Sequence, residues 1–202
     1  MDIMFLLDGS GSMNTYEFNE MLNFVTKVVD SFNFTTTRVG VMQFSHWFDE
    51  RSIYDQPYMQ SDIQLGMFAS NIQFKVALSA MRHHGYTSFT AHAIHKAIFI
   101  DLASSDRFTD LCTKKVIIVV IDGRSLDHSM LLTNANAARA LGVTMYAVGV
   151  SNYWRQELQV IANGEVGKND RVFTAPNFDQ LHRVAPPLTQ HILSLTSSAD
   201  SA

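Results

Sequence analysis

Ile3 to Leu7 is an unbroken apolar run that stops at Asp8-Gly9-Ser10-Gly11-Ser12. Such a run suits a strand buried on both faces, the situation inside a parallel sheet covered by helices. A second run, Val116 to Ile121, stops in the same way at Asp122-Gly123. Strand-like and helical patterns alternate along the chain, which predicts a doubly wound, mostly parallel α/β sheet. Ligands in such sheets bind beyond the carboxyl ends of the strands. Asp8, Ser10 and Ser12 therefore fall on a ligand-facing loop, with Gly9 and Gly11 letting the backbone curl. If the two runs are central neighbours, Asp122 joins them from far along the chain.

The donors in that loop are hard oxygens, which suit Mg²⁺ because it takes oxygen ligands and retains several waters. A metal site ranks first, a plain strand-to-helix turn second and a phosphate-binding loop third. The phosphate reading fails on detail: no Gly-Lys-Ser/Thr follows, and Asn14 stands where a G-x-G-x-x-G loop needs its third glycine. Catalytic patterns are also broken. Ser10 is not framed as G-x-S-x-G, and a serine, not a carboxylate, stands two residues after Asp8. An enzyme is not expected.

The D-x-S-x-S spacing with its aliphatic strand resembles the metal-ion-dependent adhesion site (MIDAS) of von Willebrand factor A domains, including extracellular-matrix A domains and integrin I domains. The resemblance extends through VIIVVIDGRSLD (Val116 to Asp127), TMYAVGVS (Thr144 to Ser151), Glu157-Leu158 with Ile161-Ala162, Val172-Phe173 and Asn177 to Leu181. It implies a Rossmann-like fold and a cation held from three loops by Asp8, Ser10, Ser12, a hydroxyl residue and Asp122. Aligning the family's G-G-T-x-T-G-x-A-L on Thr90-Ala91-His92-Ala93-Ile94 without a gap puts that hydroxyl at Ser88. A one-residue shift puts it at Thr87. Two positions depart from the pattern. Ile121 stands where the family has Thr or Ser before the aspartate, and Ala91 replaces a glycine.

Helices are expected over Thr15 to Phe32, Phe74 to Met81, Ala91 to Ala103, Ser129 to Leu141, Trp154 to Ala162 and Phe178 to Leu195, the last interrupted by Pro186-Pro187. Further strands are expected at Arg38 to Phe44, Thr144 to Val150 and Val172 to Thr174. Trp47 to Ile53 follows Arg38 to Phe44 after a two-residue turn, so it is expected as one antiparallel edge strand. Residues 1–195 are expected to form a single domain and 196–202 a flexible tail.

The chain has 202 residues, 47% of them hydrophobic and 17% charged, with net charge −4. That balance supports one proper core and argues against a nucleic-acid surface. No apolar run reaches membrane-spanning length. Met1 stands almost directly on the first strand, which reads as a mature or excised segment given a start methionine. Cys112 is the single cysteine, so no internal disulfide forms. Asn33-Phe34-Thr35 is an N-glycosylation sequon. His83-His84 and His92 with His95 flank the second site loop, where a zinc site ranks below ordinary surface roles.

The leading functional expectation, implied by the resemblance, is a secreted extracellular-matrix adhesion module. Its divalent cation would be Mg²⁺ first, Mn²⁺ second and Zn²⁺ third, bridging to an acidic residue of a matrix protein such as collagen. Tandem A domains in a longer chain fit that reading. The alternative is an intracellular subunit scaffolding an ATPase or chelatase assembly. A metal-dependent hydrolase ranks third.

Overall fold

A computed structural model describes residues 1–45 and 61–197. Its centre is a five-stranded sheet of β1 (Asp2–Asp8), β2 (Arg38–Phe44), β3 (Lys115–Ile121), β4 (Val143–Val150) and β5 (Val172–Ala175). The order is β2-β1-β3-β4-β5 and every pairing is parallel. The expected Trp47 to Ile53 edge strand lies outside the described residues. At that edge the described residues show an isolated antiparallel bridge between Val41 and Ile63.

Alternation along β1 feeds two cores. Ile3, Phe5 and Leu7 pack into one with α1 (Thr15–Val29), α2 (Asn71–Ser79) and α6 (Ala185–Ser197). Met4 and Leu6 pack into the other with α3 (Thr90–Lys96), α4 (Leu131–Ala140) and α5 (Arg155–Asn163). A strand that must satisfy both faces has no room for polar alternation, which is why β1 and β3 read as continuous apolar runs.

Local chemistry sets the helix boundaries. Asn14 accepts from the Glu17 amide and the Glu17 carboxylate accepts from the Asn14 amide, a reciprocal cap that starts α1 three residues after Ser12. This helix ends at Val29, three residues before the expected Phe32, because the chain tightens there into a turn at Asn33. The expected Phe178 to Leu195 helix is two pieces: a 3₁₀ segment over Phe178–Arg183, then α6. Pro186 and Pro187 sit in the first turn of α6, where a missing N–H costs no internal hydrogen bond. Gly164 ends α5 in the left-handed conformation. Beyond α3 the helix widens into a π-helical turn over Ala97–Leu102.

The strand order places the site. From β1 the chain crosses to β2 on one side, and later returns to β3 on the other. The crevice beyond the carboxyl ends of β1 and β3 is thus the point where winding reverses, and that is where doubly wound sheets bind ligands. Leu7 lies opposite Val120, so Asp8 and Asp122 leave the sheet side by side.

Leu6→Ala should remove buried contacts on the α3–α5 side and cost about 2–5 kcal/mol. A drop in the urea midpoint with an unchanged m-value checks this.

Candidate metal centre

Three loops meet at the crevice, and hydrogen bonds between them fix their spacing. In the first, Gly9 lies against the buried Gln43 of β2. A Cβ there would fall 2.1 Å from Gln43 Oε1, so a side chain at this position would displace the buried Gln43 carboxamide. Gln43 uses that proximity to hold the second loop. Its Nε2 donates to the Arg82 carbonyl at 2.9 Å, and its Oε1 accepts from the His84 amide at 2.8 Å. Ser45 Oγ accepts from the Tyr86 amide at 2.8 Å. The two loops then pair directly: Gly85 N–H donates to Gly9 O and Gly11 N–H donates to Tyr86 O. His83 contacts the Ser10 carbonyl through Nε2 at 2.9 Å and stacks on Phe18.

The third loop follows β3. Leu126 N–H donates to the Ser88 carbonyl at 3.1 Å. Ser125 Oγ accepts from the Thr90 amide, and the Asp127 carboxylate accepts from the Ala91 and His92 amides at 3.0 and 2.9 Å. The first-turn N–H groups of α3 are therefore capped by a loop 35 residues downstream. His92 Nδ1 adds a 2.6 Å contact to the same carboxylate. Burial works to raise the Asp127 pKa, but the bonds from His92, Ser125 and the two amides outweigh it and hold the carboxyl below its ordinary value. Glu157 of α5 supports the loop from behind by accepting from the Ser125 amide.

Within this frame the expected site residues converge. Asp8 Oδ1 accepts from the Ser10 amide at 2.9 Å, and Asp8 Oδ2 accepts from Ser88 Oγ at 3.0 Å. Ser10 Oγ and Ser12 Oγ share a 2.8 Å hydrogen bond, and Ser12 Oγ donates to Asp122 Oδ1 at 2.9 Å. Residues from all three loops thus form one cluster of two carboxylates and three hydroxyls. Thr87 stands half-buried beside Ser88.

The electrostatics ask for a cation. Asp8 is 1% exposed and Asp122 5% exposed. Burial, then the nearby charge of Asp122, pushes the Asp8 pKa up to about 7. Burial also raises Asp122, against the Ser12 bond. Among the described residues no salt bridge engages either carboxylate. Two buried like charges without a basic partner are costly in a protein interior. A divalent ion compensates both, and the hydroxyl lone pairs supply further oxygen donors. Asp8, Ser10, Ser12, Ser88 and Asp122 are the residues that could hold it, with Thr87 adjacent.

No group of three or more His, Cys, Asp or Glu converges on a metal position among the described residues. His92 is not an ordinary surface residue, since it is half-buried against Asp127 and Phe89. Sequence reasoning passed over Asp127 and Gln43. Gln43 carried a signal, as the lone amide near the end of the apolar RVGVMQF strand. Asp127 carried none, because its partners lie on another loop. Around the cluster, Tyr86, Leu126, Tyr16 and Trp154 are exposed on the same end of the sheet. The Arg124 guanidinium lies over the Trp154 ring, 4.7 Å from its centroid.

A model of the von Willebrand factor type A domain matches residues 2–186. Mouse (Mus musculus) integrin alpha-X is 30% identical over 203 residues, covering 96% of this chain and 16% of the integrin. Mouse vitrin is 32% identical over 193 residues, covering 95% of this chain and 27% of vitrin. The chain thus spans about a quarter or less of these relatives. Among solved structures, proximal thread matrix protein 1 from the mussel byssus, with a zinc-occupied MIDAS motif, superposes with a TM-score of 0.79 at 22% identity. That match covers 93% of this chain and 46% of the mussel chain, and it shows the shared fold.

Without divalent cations, folded Asp8 keeps its proton up to about pH 7, while the unfolded chain releases it near the ordinary value of 3.8. Stability should therefore fall as pH rises between those values and level off above about 7. Asp8→Asn should flatten that limb and raise the cation-free Tm at pH 7.5; thermal melts in EDTA across pH check it. Asp127→Ala should strip the α3 cap and cost about 1–3 kcal/mol in denaturant titration.

Proposed function

The chain belongs to the von Willebrand factor type A domain family, and we propose that it is a divalent-metal-dependent adhesion module of the extracellular matrix. The observation that carries this is the pair of buried carboxylates, without a salt-bridge partner among the described residues and ringed by hydroxyls at the end of the sheet. Asp8, Ser10, Ser12, Ser88 and Asp122 would hold the ion, with Thr87 the alternative to Ser88. Mg²⁺ is the first choice for an all-oxygen donor set, Mn²⁺ the second and Zn²⁺ the third. The zinc of the mussel thread matrix protein sits in the motif of the same name.

When bound, the ion offers a position to a carboxylate oxygen of a partner. The protein's contribution is a donor set in which three of the five side chains are neutral hydroxyls, so no excess negative charge would repel an incoming carboxylate. Ser10, Ser12 and Ser88 are neutral donors, and the carboxylates are tied up in hydrogen bonds to them. The interloop bonds from Gln43 and Asp127 hold the donors in place before a partner arrives. Binding without turnover is the reading, supported by the lack of a G-x-S-x-G frame at Ser10 and by serine in place of a second carboxylate two residues after Asp8. The partner is a matrix protein presenting Glu or Asp, with collagen as the first candidate. The domain works outside the cell as one unit over residues 1–195, alone or in tandem with others of its kind.

Immobilised fibrillar collagen should retain the domain in Mg²⁺ or Mn²⁺ and release it in EDTA. Asp122→Ala should lose binding while keeping the fold by circular dichroism. Ser12→Ala should weaken the cation-induced rise in Tm, reflecting about a 10- to 100-fold loss of metal affinity. Retention that survives both EDTA and Asp122→Ala would refute the metal-bridged reading. Absence of retention on collagen, with an intact cation-induced Tm rise, would move the partner to another acidic matrix protein.

A further inference from the structure

Asn33-Phe34-Thr35 is the only Asn-x-Ser/Thr triplet in the chain, and the adhesion reading leaves it without a role. It forms the turn between α1 and β2. Asn33 and Thr35 are exposed, while Phe34 between them is buried and packs on Phe74 at 5.4 Å between ring centroids. The turn is held on all sides. The Asn33 carbonyl accepts from the Thr36 and Thr37 amides at 3.1 and 2.8 Å. The Thr36 carbonyl accepts from the chain's amino terminus and from Arg107.

The side chain of Asn33 is fixed in a specific way. Its Oδ1 accepts from the Thr35 amide at 2.9 Å and from Thr35 Oγ1 at 2.8 Å. Both bonds fall on the oxygen, so the amide nitrogen is turned away from the turn. Among the described residues Asn33 Nδ2 makes no hydrogen bond of its own. A buried aromatic anchors the triplet, the threonine hydroxyl orients the carboxamide, and the nitrogen faces solvent.

We propose that Asn33 is an N-glycan acceptor, and that its glycan occupies the pole of the domain opposite the metal centre. The co-substrate is an oligosaccharide carried on a polyprenyl diphosphate. Asn33 Nδ2 attacks the anomeric carbon. The carbon–oxygen bond to diphosphate breaks, with the diphosphate leaving on its electron pair, and a carbon–nitrogen bond forms. The nitrogen gives up one proton to a base of the transferase, and nothing is oxidised or reduced.

The position decides the consequence. Arg38 lies opposite Asp2 at the start of β1, whereas the metal centre begins at Asp8 at its end. Six residues of strand separate the two levels, roughly 20 Å at about 3.3 Å per residue. A glycan on Asn33 therefore clears the adhesion face and covers the end that carries Met1, Thr36 and Arg107.

The inference rests on the extracellular placement proposed above, and its test separates the two. The chain is secreted from cultured eukaryotic cells behind a cleavable signal sequence. The Asn33 peptide is then read by mass spectrometry, before and after peptide:N-glycosidase in ¹⁸O water. The expected result is a glycopeptide at Asn33 that becomes ¹⁸O-labelled Asp on enzyme treatment, and that disappears in both Asn33→Gln and Thr35→Ala. The Mg²⁺-induced Tm rise of the same secreted protein should be equal with and without the glycan. Secreted protein with an unmodified Asn33 and an intact Mg²⁺ response overturns the glycan site and leaves the adhesion reading standing. A modified Asn33 without any Mg²⁺ response does the reverse. A Mg²⁺ response that changes on deglycosylation overturns the assignment of the glycan to the opposite pole.

Discussion

Two carboxylates buried side by side, with no salt bridge to a basic group among the described residues, are the constraint around which this domain is arranged. Most of the sheet follows ordinary rules, with apolar runs between helical layers, and the buried Asp2 at the start of β1 is paired with Arg107. Asp8 breaks those rules by ending the apolar run Ile3 to Leu7 in a charge that is 1% exposed. Its hydrogen bonds from Ser10 and Ser88 soften the cost but do not cancel it, since the balance still leaves the carboxyl reluctant to ionise. A natural fold tolerates such local conflict where function requires it and compensates elsewhere. Here the compensation is the hydroxyl ring within the cluster and the cation for which that cluster is suited.

The same conflict explains the density of hydrogen bonds just beneath the cluster. Three loops of separate origin have to hold five side chains in one register, and loops alone are poor at that. The structure solves it with buried polar residues that touch no ligand position. Gln43 ties the second loop to the sheet edge, and Asp127 ties the third loop to the start of α3. His83 braces the Ser10 carbonyl against α1. Among the described residues the Gln43 and His83 side chains hydrogen-bond only to backbone, while Asp127 adds the side chains of Ser125 and His92 to its two backbone amides.

Much of this was legible beforehand, and the reason is periodicity. β1 and β3 announced themselves as apolar runs ending in aspartate, and their adjacency in the sheet follows from the doubly wound pattern. Asp8, Ser10, Ser12 and Asp122 could be named because strand ends are where such folds bind ligands. The family pattern leaves Ser88 and Thr87 as alternatives, since hydroxyl residues in a loop carry no period. Asp127 and Gln43 were not legible as supports, because what defines them is a partner 35 to 41 residues away. The end of α1 and the division of the last helix were misjudged for a local reason. Apolar spacing continues through Phe32, and across the Arg183–Ala185 break, although the hydrogen bonding changes there.

The side chains that meet water around the cluster are borne by the loops whose backbones are bolted from below. Tyr86 sits on a segment paired to Gly9 and Gly11, and Leu126 on one paired to Ser88. Their outward faces take no part in those bonds. Substitution of either side chain therefore changes what this end of the sheet presents to solvent and leaves intact the backbone pairing that spaces the three loops.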